Sequence, residues 1–146
     1  MLTNRRLIQI EWGDCDAAGT VFFPRYLEYG DACTNALFAK AGLFKPVMLK
    51  TYNIIGIPLV DLRAHFIIPS DFGDEVLYET TITEWGRSSF QVHHKVFRPD
   101  EILGLEIFEK RVWVVRVTEE GPVMFKSQPI PEEVKRRFTH PVTVGD

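Results

Sequence analysis

The stretch 8–43 reads IQIEWGDCDAAGTVFFPRYLEYGDACTNALFAKAGL, and its pattern predicts a strand, a loop and a helix in that order. Residues 5–12 alternate between the two sides of an extended chain, which is typical of a β-strand. The glycine-bearing segment 13–23 shows no periodicity and predicts a loop. Pro24 suits the first turn of a helix and Gly42 suits its end, so we expect a helix of about 17 residues between them.

Downstream of Pro58 the pattern changes to a period of two. Four long segments alternate in this way, namely 59–68, 75–85, 88–98 and 105–118. Turn-forming residues separate them, which predicts an antiparallel meander. Residues 131–138 begin with a proline and two glutamates and predict a short C-terminal helix. The sequence therefore predicts one α+β domain over 1–146, with a five-stranded antiparallel sheet wrapped around a long central helix.

Composition and charge narrow the classes of function. Lys and Arg number 17 against 20 Asp and Glu, and this net charge of −3 argues against a dedicated nucleic-acid binder. The N-terminus lacks the apolar run of a secretory signal, and no segment approaches the roughly 20 apolar residues that span a membrane. We expect a cytoplasmic protein in which Cys15 and Cys33 are reduced. An open sheet also has unpaired edges, which favours dimerisation.

The loop carries two carboxylates, Asp14 and Asp16, directly before the predicted helix. A helix N-terminus offers backbone N–H donors and partial positive charge, which can polarise a carbonyl group and stabilise an oxyanion. A carboxylate beside such donors can attack the carbonyl or activate water. Asp residues also commonly cap turns, so the spacing alone leaves both a catalytic and a structural interpretation open.

Other catalytic arrangements are less well supported. Cys15 lies between two carboxylates, which raise the pKa of a thiol and make it a poor nucleophile. His93 and His94 are neighbours on a predicted strand, so their side chains point to opposite faces and cannot easily share a metal ion. We expect neither a metal nor a redox cofactor.

The stretch 8–43 resembles the opening of the 4-hydroxybenzoyl-CoA thioesterase family of hotdog-fold proteins. The similar features are an alternating strand that ends in an aromatic and Gly-Asp-x-Asp, then Ala-Gly, two aromatics and Pro-x-Tyr. An Asp-Ala pair within the helix and a closing Gly-Leu complete the match, and segments 56–60 and 84–90 are also similar. The resemblance covers most of the chain and implies a hotdog acyl-CoA thioesterase that forms a homodimer or homotetramer.

The resemblance also implies roles for residues of the loop and helix. Asp16 matches the catalytic carboxylate, which acts as nucleophile or as general base. The backbone N–H of Phe23 matches the donor that polarises the thioester carbonyl. Asp14 matches a more structural position. Asp31 matches a helix residue that can meet the hydroxyl of a 4-hydroxybenzoyl group, although an ordinary polar helix face is the alternative.

Further positions match contacts to CoA. Arg87, Ser88 and Ser89 match a turn that contacts the nucleotide, and Lys126 matches a basic phosphate contact. Solvated surface charge is the alternative for the two basic residues. We interpret three more residues as walls of the acyl pocket: Phe22, Tyr26 and Pro58.

The residue after the two loop aromatics bears on the substrate. Relatives associated with the Tol-Pal system usually have His there, whereas Pro24 is as in the hydroxybenzoyl type, which favours an aromatic acyl-CoA substrate. Phe22 and Phe23 replace the Trp and Tyr that the hydroxybenzoyl type can carry, so the pocket also suits benzoyl or another apolar acyl group. The alternatives are a short- or medium-chain thioesterase of the Tol-Pal type, a non-catalytic acyl-CoA-binding module, and an interaction protein of an envelope complex.

Overall fold

The computed structural model describes residues 1–117, 120–122 and 124–140. Within them the helices are α1 (Phe23–Lys40), α2 (Lys45–Tyr52) and α3 (Glu132–Thr139). The strands are β1 (Thr3–Gln9), β2 (Leu59–Phe66), β3 (Glu75–Trp85), β4 (Ser89–Phe97), β5 (Leu103–Val112), β6 (Val114–Arg116) and β7 (Phe125–Ser127). None of the described helices is long and apolar enough to cross a lipid bilayer.

Five strands form one antiparallel sheet in the order β1-β3-β4-β5-β2, and β6 pairs with β7 separately. The predicted five-stranded sheet is confirmed, and β3, β4 and β5 are the expected meander. The placement of β2 next to β3 was wrong, because β2 pairs with β5 at the far edge. Segment 67–74 joins β2 to β3 and is longer than the two to five residues typical of a hairpin loop. β1 pairs with β3 instead, from Thr3 opposite Thr81 to Gln9 opposite Glu75.

Every predicted strand except 75–85 ends earlier than expected, and the largest differences are at the ends of β1 and β5. β1 ends at Gln9, because Trp12–Asp14 form a 3-10 turn in which the Asp14 carboxylate accepts the Glu11 N–H at 3.0 Å. The predicted strand 105–118 is interrupted at Trp113. Its N–H donates to the Ser88 carbonyl at 2.8 Å, after which the chain leaves β4 and pairs with β7. The end of that predicted strand, at 118, lies outside the described residues.

α1 packs one face against the sheet, and its buried residues are Tyr26, Gly30, Cys33, Thr34, Leu37 and Phe38. Tyr26 and Cys33 share an apolar cluster with residues of β3, β4 and β5. Leu37 and Phe38 belong to a second apolar cluster, to which α3 contributes Phe138. The ring centres of Phe38 and Phe138 are 4.8 Å apart. This packing fixes the N-terminal end of α1 against the sheet.

α2 was not predicted. Its first turn contains Pro46, and it ends at Asn53, whose φ of 52° lies in the left-handed region. Met48 is its one fully buried residue, so the apolar stripe is too narrow to show as a helical period in the sequence.

Candidate active site

The carboxylate-bearing loop closes as a narrow hairpin in front of α1. The Phe22 N–H donates to the Asp14 carbonyl at 2.8 Å, and the Asp16 N–H donates to the Thr20 carbonyl at 2.9 Å. Gly19 turns the tip with a φ of +82°, a conformation that favours glycine. The main chain therefore holds Asp16 near the tip, a few residues before the helix begins.

The Asp16 side chain is fixed by its own turn. Its carboxylate accepts the Ala18 N–H at 2.9 Å, and the Thr20 hydroxyl lies 3.3 Å from each of its two oxygens. Asp16 is nevertheless exposed. The turn contacts therefore orient a carboxylate that a ligand can still reach.

Asp14 has a structural role, as the resemblance implies. Its carboxylate accepts the Glu11 N–H and lies 3.9 Å from the Arg25 guanidinium. Burial raises the pKa of the nearby Tyr29 hydroxyl, and the Asp14 carboxylate raises it further. Asp14 therefore ties the loop to the first turns of α1.

The N-terminus of α1 presents one free backbone donor. The N-cap residue Phe22 makes no side-chain cap. Pro24 has no N–H, and the Arg25 N–H donates to the Phe22 carbonyl at 2.9 Å. Within the described part of the chain, the Phe23 N–H has no hydrogen-bond acceptor. This amide therefore offers a hydrogen bond at the positive end of the helix dipole.

An apolar cavity of about 140 Å³ opens beside this donor. Tyr26 lines it. The Tyr26 hydroxyl accepts the Ser70 N–H at 2.9 Å, so this side chain brings no unpaired polar group to the cavity. Phe22 and Pro58, the other predicted pocket walls, are exposed and do not line the cavity. The lining residues are Val21, Phe23, Tyr26, Phe66, Ile67, Ile68, Pro69, Gly104 and Leu105.

Asp31 lies with a second group of residues, two turns further along α1. The Arg111 guanidinium donates to Asp31 Oδ1 at 2.8 Å and to the Ile57 carbonyl at 3.2 Å. Pro58 follows Ile57 directly and accepts the Val112 N–H through its carbonyl oxygen. Arg111 therefore brings Asp31 and the segment before β2 together.

Beneath Arg111 lies a buried polar network. Arg111 Nε donates to Glu109 Oε1 at 3.0 Å, and the Thr34 hydroxyl donates to the same oxygen at 2.6 Å. His94 Nε2 lies 3.4 Å from that oxygen, and its Nδ1 lies 2.8 Å from the Thr80 hydroxyl. Burial alone would raise the pKa of Glu109, but His94 and Arg111 outweigh it and lower that pKa to about 2.

The predicted CoA contacts lie at the opposite end of the sheet from the cavity. The turn between β3 and β4 holds Ser88, whose carbonyl accepts the Trp113 N–H at 2.8 Å. The Trp113 carbonyl accepts the Gln128 N–H at 3.0 Å, two residues beyond Lys126. Arg87 and Lys126 are exposed, and Ser89 is half-buried. Backbone hydrogen bonds thus join the turn to the strand that carries Lys126.

Within one chain the predicted site residues therefore form two groups. Phe23 and Asp31 are eight residues apart on α1, or about 12 Å along the helix axis. Leu105 lines the cavity and Val112 pairs with Ser89, and the rise over the seven steps from Leu105 to Val112 is about 23 Å of strand. A benzoyl group is shorter than the separation of Phe23 and Asp31 along the one helix.

The sequence alone did not point to Arg111 and Glu109, or to the place of His94 beside them. The available signal was alternation, because Glu109 and Arg111 follow Leu105 and Ile107 on the inward face of β5. Charged residues at core positions of a strand indicate paired buried charges.

The two cysteines are unpaired, and the neighbouring His93 and His94 lie on opposite faces of the sheet. Cys15 and Cys33 are free, and burial followed by the charges of Asp14 and Asp16 raises the pKa of Cys15. His94 is fully buried, whereas His93 faces the other side of the sheet beside Glu106. Among the residues that the structure describes, no group of three or more His, Cys, Asp or Glu side chains could hold a metal ion.

Comparison with known proteins gives a family. The sequence model that represents the thioesterase-like superfamily matches residues 10–138. A 4-hydroxybenzoyl-CoA thioesterase from Pseudomonas sp. (strain CBS-3) is 41% identical over 93 residues, which cover 62% of this chain and 64% of the relative. A 1,4-dihydroxy-2-naphthoyl-CoA hydrolase from Synechococcus sp. (strain WH7803) is 28% identical over 93 residues, which cover 60% of this chain and 61% of that relative. The chain thus spans slightly less than two thirds of the length of these curated relatives.

A solved structure matches over more of the chain. It is a mutant of 4-hydroxybenzoyl-CoA thioesterase in which an Asp is replaced by Asn, complexed with 4-hydroxybenzoyl-CoA. It is 29% identical, with a TM-score of 0.85, and the match covers 94% of this chain and 99% of that one. This similarity confirms the predicted hotdog fold.

Proposed function

This chain belongs to the thioesterase-like superfamily, and we propose that it hydrolyses acyl-CoA thioesters with an aromatic acyl group. The observation that carries the proposal is the free Phe23 N–H at the start of α1, a few residues after the exposed Asp16 carboxylate. An oriented donor and an accessible carboxylate are what thioester hydrolysis requires. The two relatives named as hydrolases of aromatic CoA thioesters support the same substrate class.

In the proposed reaction, the thioester carbonyl oxygen accepts the Phe23 N–H. As the carbonyl carbon becomes tetrahedral, negative charge develops on that oxygen, and the helix N-terminus stabilises it. The C–S bond then breaks and CoA leaves as the thiolate. The Thr20 hydroxyl and the Ala18 N–H hold the Asp16 carboxylate in one orientation throughout.

Asp16 acts by one of two routes. As nucleophile, it forms a mixed anhydride with the acyl group, which water then hydrolyses. As general base, it takes a proton from a water molecule that attacks the carbonyl carbon directly. Both routes yield a free carboxylic acid and CoA, and neither needs a cofactor besides the CoA of the substrate.

The apolar cavity beside Phe23 supports an apolar acyl group near the reacting carbonyl. Tyr26 and Phe66 supply aromatic walls, which suit a ring. In the proposal, Asp31 accepts a hydrogen bond from a ring hydroxyl at the far side of the acyl group, and Phe22 and Pro58 border the bound ligand. Arg87, Ser88, Ser89 and Lys126 bind the CoA nucleotide, with charge-assisted bonds to its phosphates.

A second copy of the chain would complete this site. The separation of Phe23 and Asp31 on one chain is longer than a benzoyl group. We therefore assign the Asp31 that accepts the hydrogen bond of the ring hydroxyl to the partner chain. Among the described strands, none pairs with the outer edge of β2, where Val60 is 57% exposed, and such edges pair readily with another strand. We expect light scattering to give a dimer or tetramer, and a monomeric active enzyme would contradict this arrangement. The cytoplasmic location stays a prediction.

The activity is tested by following thiol release with a disulfide dye. The substrates are 4-hydroxybenzoyl-, benzoyl-, 1,4-dihydroxy-2-naphthoyl-, short-chain and long-chain acyl-CoA. We expect the highest kcat/KM with a single-ring aromatic thioester, because the cavity is small. Faster release from aliphatic thioesters would favour the Tol-Pal type, and binding without release from any substrate would favour a non-catalytic module.

A further inference from the structure

Arg111 joins three separate parts of the fold. Its guanidinium donates to Glu109 of β5, to the Ile57 carbonyl before β2, and to Asp31 of α1, at 3.0, 3.2 and 2.8 Å. The Arg111 side chain is 5% exposed, whereas that of Asp31 is 58% exposed. A buried cation therefore holds an exposed carboxylate from beneath.

The groups under Arg111 are hydrogen-bonded to one another. Thr34 donates its hydroxyl proton to Glu109, so its oxygen is left to accept from His94 Nε2 at 3.2 Å. His94 Nδ1 lies 2.8 Å from the Thr80 hydroxyl. This pattern places a proton on His94 Nε2 and leaves Glu109 as the partner of Arg111. The guanidinium is therefore fixed in place by groups that cannot turn away without losing a bond.

Asp31 has one oxygen committed and one available. Oδ1 accepts from Arg111. In the described ranges, Oδ2 has no hydrogen-bond partner. An ionised carboxylate accepts and does not donate, so this oxygen can accept a hydrogen bond from a hydroxyl and gains nothing from an unsubstituted ring.

We propose that Arg111 is a positioning residue that holds Asp31 as a fixed acceptor and thereby sets the preference for hydroxylated over unsubstituted aromatic acyl groups. The inference rests on the proposed function, because it assigns a role within that same site. Arg111 does not touch the substrate and acts through Asp31. A purely structural Arg111 would support the fold without any effect on which ring is preferred.

The test is a double-mutant cycle. Arg111→Lys keeps the positive charge beside Glu109, but a single ammonium cannot satisfy three acceptors in the fork geometry of a guanidinium. Asp31→Asn removes the charge of the acceptor at an exposed position. Lys110→Arg is the matched control, because Lys110 is the neighbouring cation on the exposed face of β5. For each variant, kcat/KM is measured with 4-hydroxybenzoyl-CoA and with benzoyl-CoA.

We expect the ratio of the two kcat/KM values to fall about tenfold in each single variant, the effect of one hydrogen bond to a charged group. The ratio in the double variant should fall no further, and the control should keep the wild-type ratio. An Arg111→Lys variant that slows both substrates equally, or a further fall in the double variant, overturns the inference. So does a wild-type enzyme without preference for the hydroxylated substrate.

Two further outcomes are distinguishable. If Arg111→Lys does not fold, the pair Glu109→Gln with Arg111→Gln replaces it, since this pair removes both buried charges together. The expected loss of preference is the same.

If the wild-type protein releases no thiol from any aromatic thioester, the proposed function itself fails. An active enzyme with an unchanged ratio in Arg111→Lys refutes the positioning role alone.

Discussion

Replacing Arg111 with Met tests how far the buried ion pair holds the fold together. The change leaves Glu109, which is 2% exposed, as a buried carboxylate without its cation. Breaking a buried pair in this way costs about 3–5 kcal/mol. Because each kcal/mol lowers the Tm of a chain of this size by about 2–4 °C, we expect a fall on the order of 10 °C.

The measurement is urea unfolding followed by tryptophan fluorescence, since Trp113 is buried. Lys110→Met is the control, and as an exposed substitution it should change the free energy of unfolding by less than about 0.5 kcal/mol. Adding Glu109→Gln to Arg111→Met should restore most of the lost free energy of unfolding, because no buried carboxylate then remains without its cation. A loss in Arg111→Met no larger than that of the control would refute this reasoning.

Three further predictions concern acid stability, Asp16 and CoA binding. The pKa of Glu109 is lowered to about 2, so its contribution is complete above its unfolded pKa near 4.5 and is lost as pH falls from there toward 2; this amounts to about 3 kcal/mol. The free energy of unfolding of Glu109→Gln, measured with urea, should fall correspondingly less over that range than that of wild type. Equal losses in the two proteins would contradict the pKa shift. Thr20→Val should lower kcat about threefold to tenfold with KM unchanged, because it removes the hydroxyl that orients Asp16; an unaltered kcat in the thiol-release assay would separate Thr20 from the chemistry. Arg87→Ala should raise KM more than it lowers kcat, with a smaller effect at high salt; an unchanged KM would leave Arg87 as ordinary surface charge.

Much of the fold is predictable because its signals are local. The alternation in β3 and β4 gives their bounds to within one residue, and Pro24 and Gly42 bracket α1 closely. The pairing of β2 with β5 is a non-local property, since nothing in segment 59–68 shows which edge of the sheet it joins. The interruption at Trp113 is also invisible to periodicity, because apolar residues continue on both sides while the hydrogen-bond partners change.

The candidate site divides in the same way. The Asp16 loop and the Phe23 donor are contiguous in sequence, so a motif shows them. The network of His94, Glu109 and Arg111 joins two strands to α1, and only tertiary contacts reveal that Arg111 reaches Asp31. The separation of Phe23 from Asp31 along α1 follows from helix geometry once both lie on one helix.

In the proposed function, the Asp16 carboxylate carries out thioester hydrolysis. The most direct test compares wild type with Asp16→Asn in the thiol-release assay with 4-hydroxybenzoyl-CoA, while calorimetry measures the Kd of the same ligand for the variant. Asp100→Asn, in the turn between β4 and β5, is the control. We expect kcat to fall by several powers of ten while Kd stays within a few-fold, the pattern of a lost transition-state interaction. Turnover by Asp16→Asn close to that of wild type would contradict it.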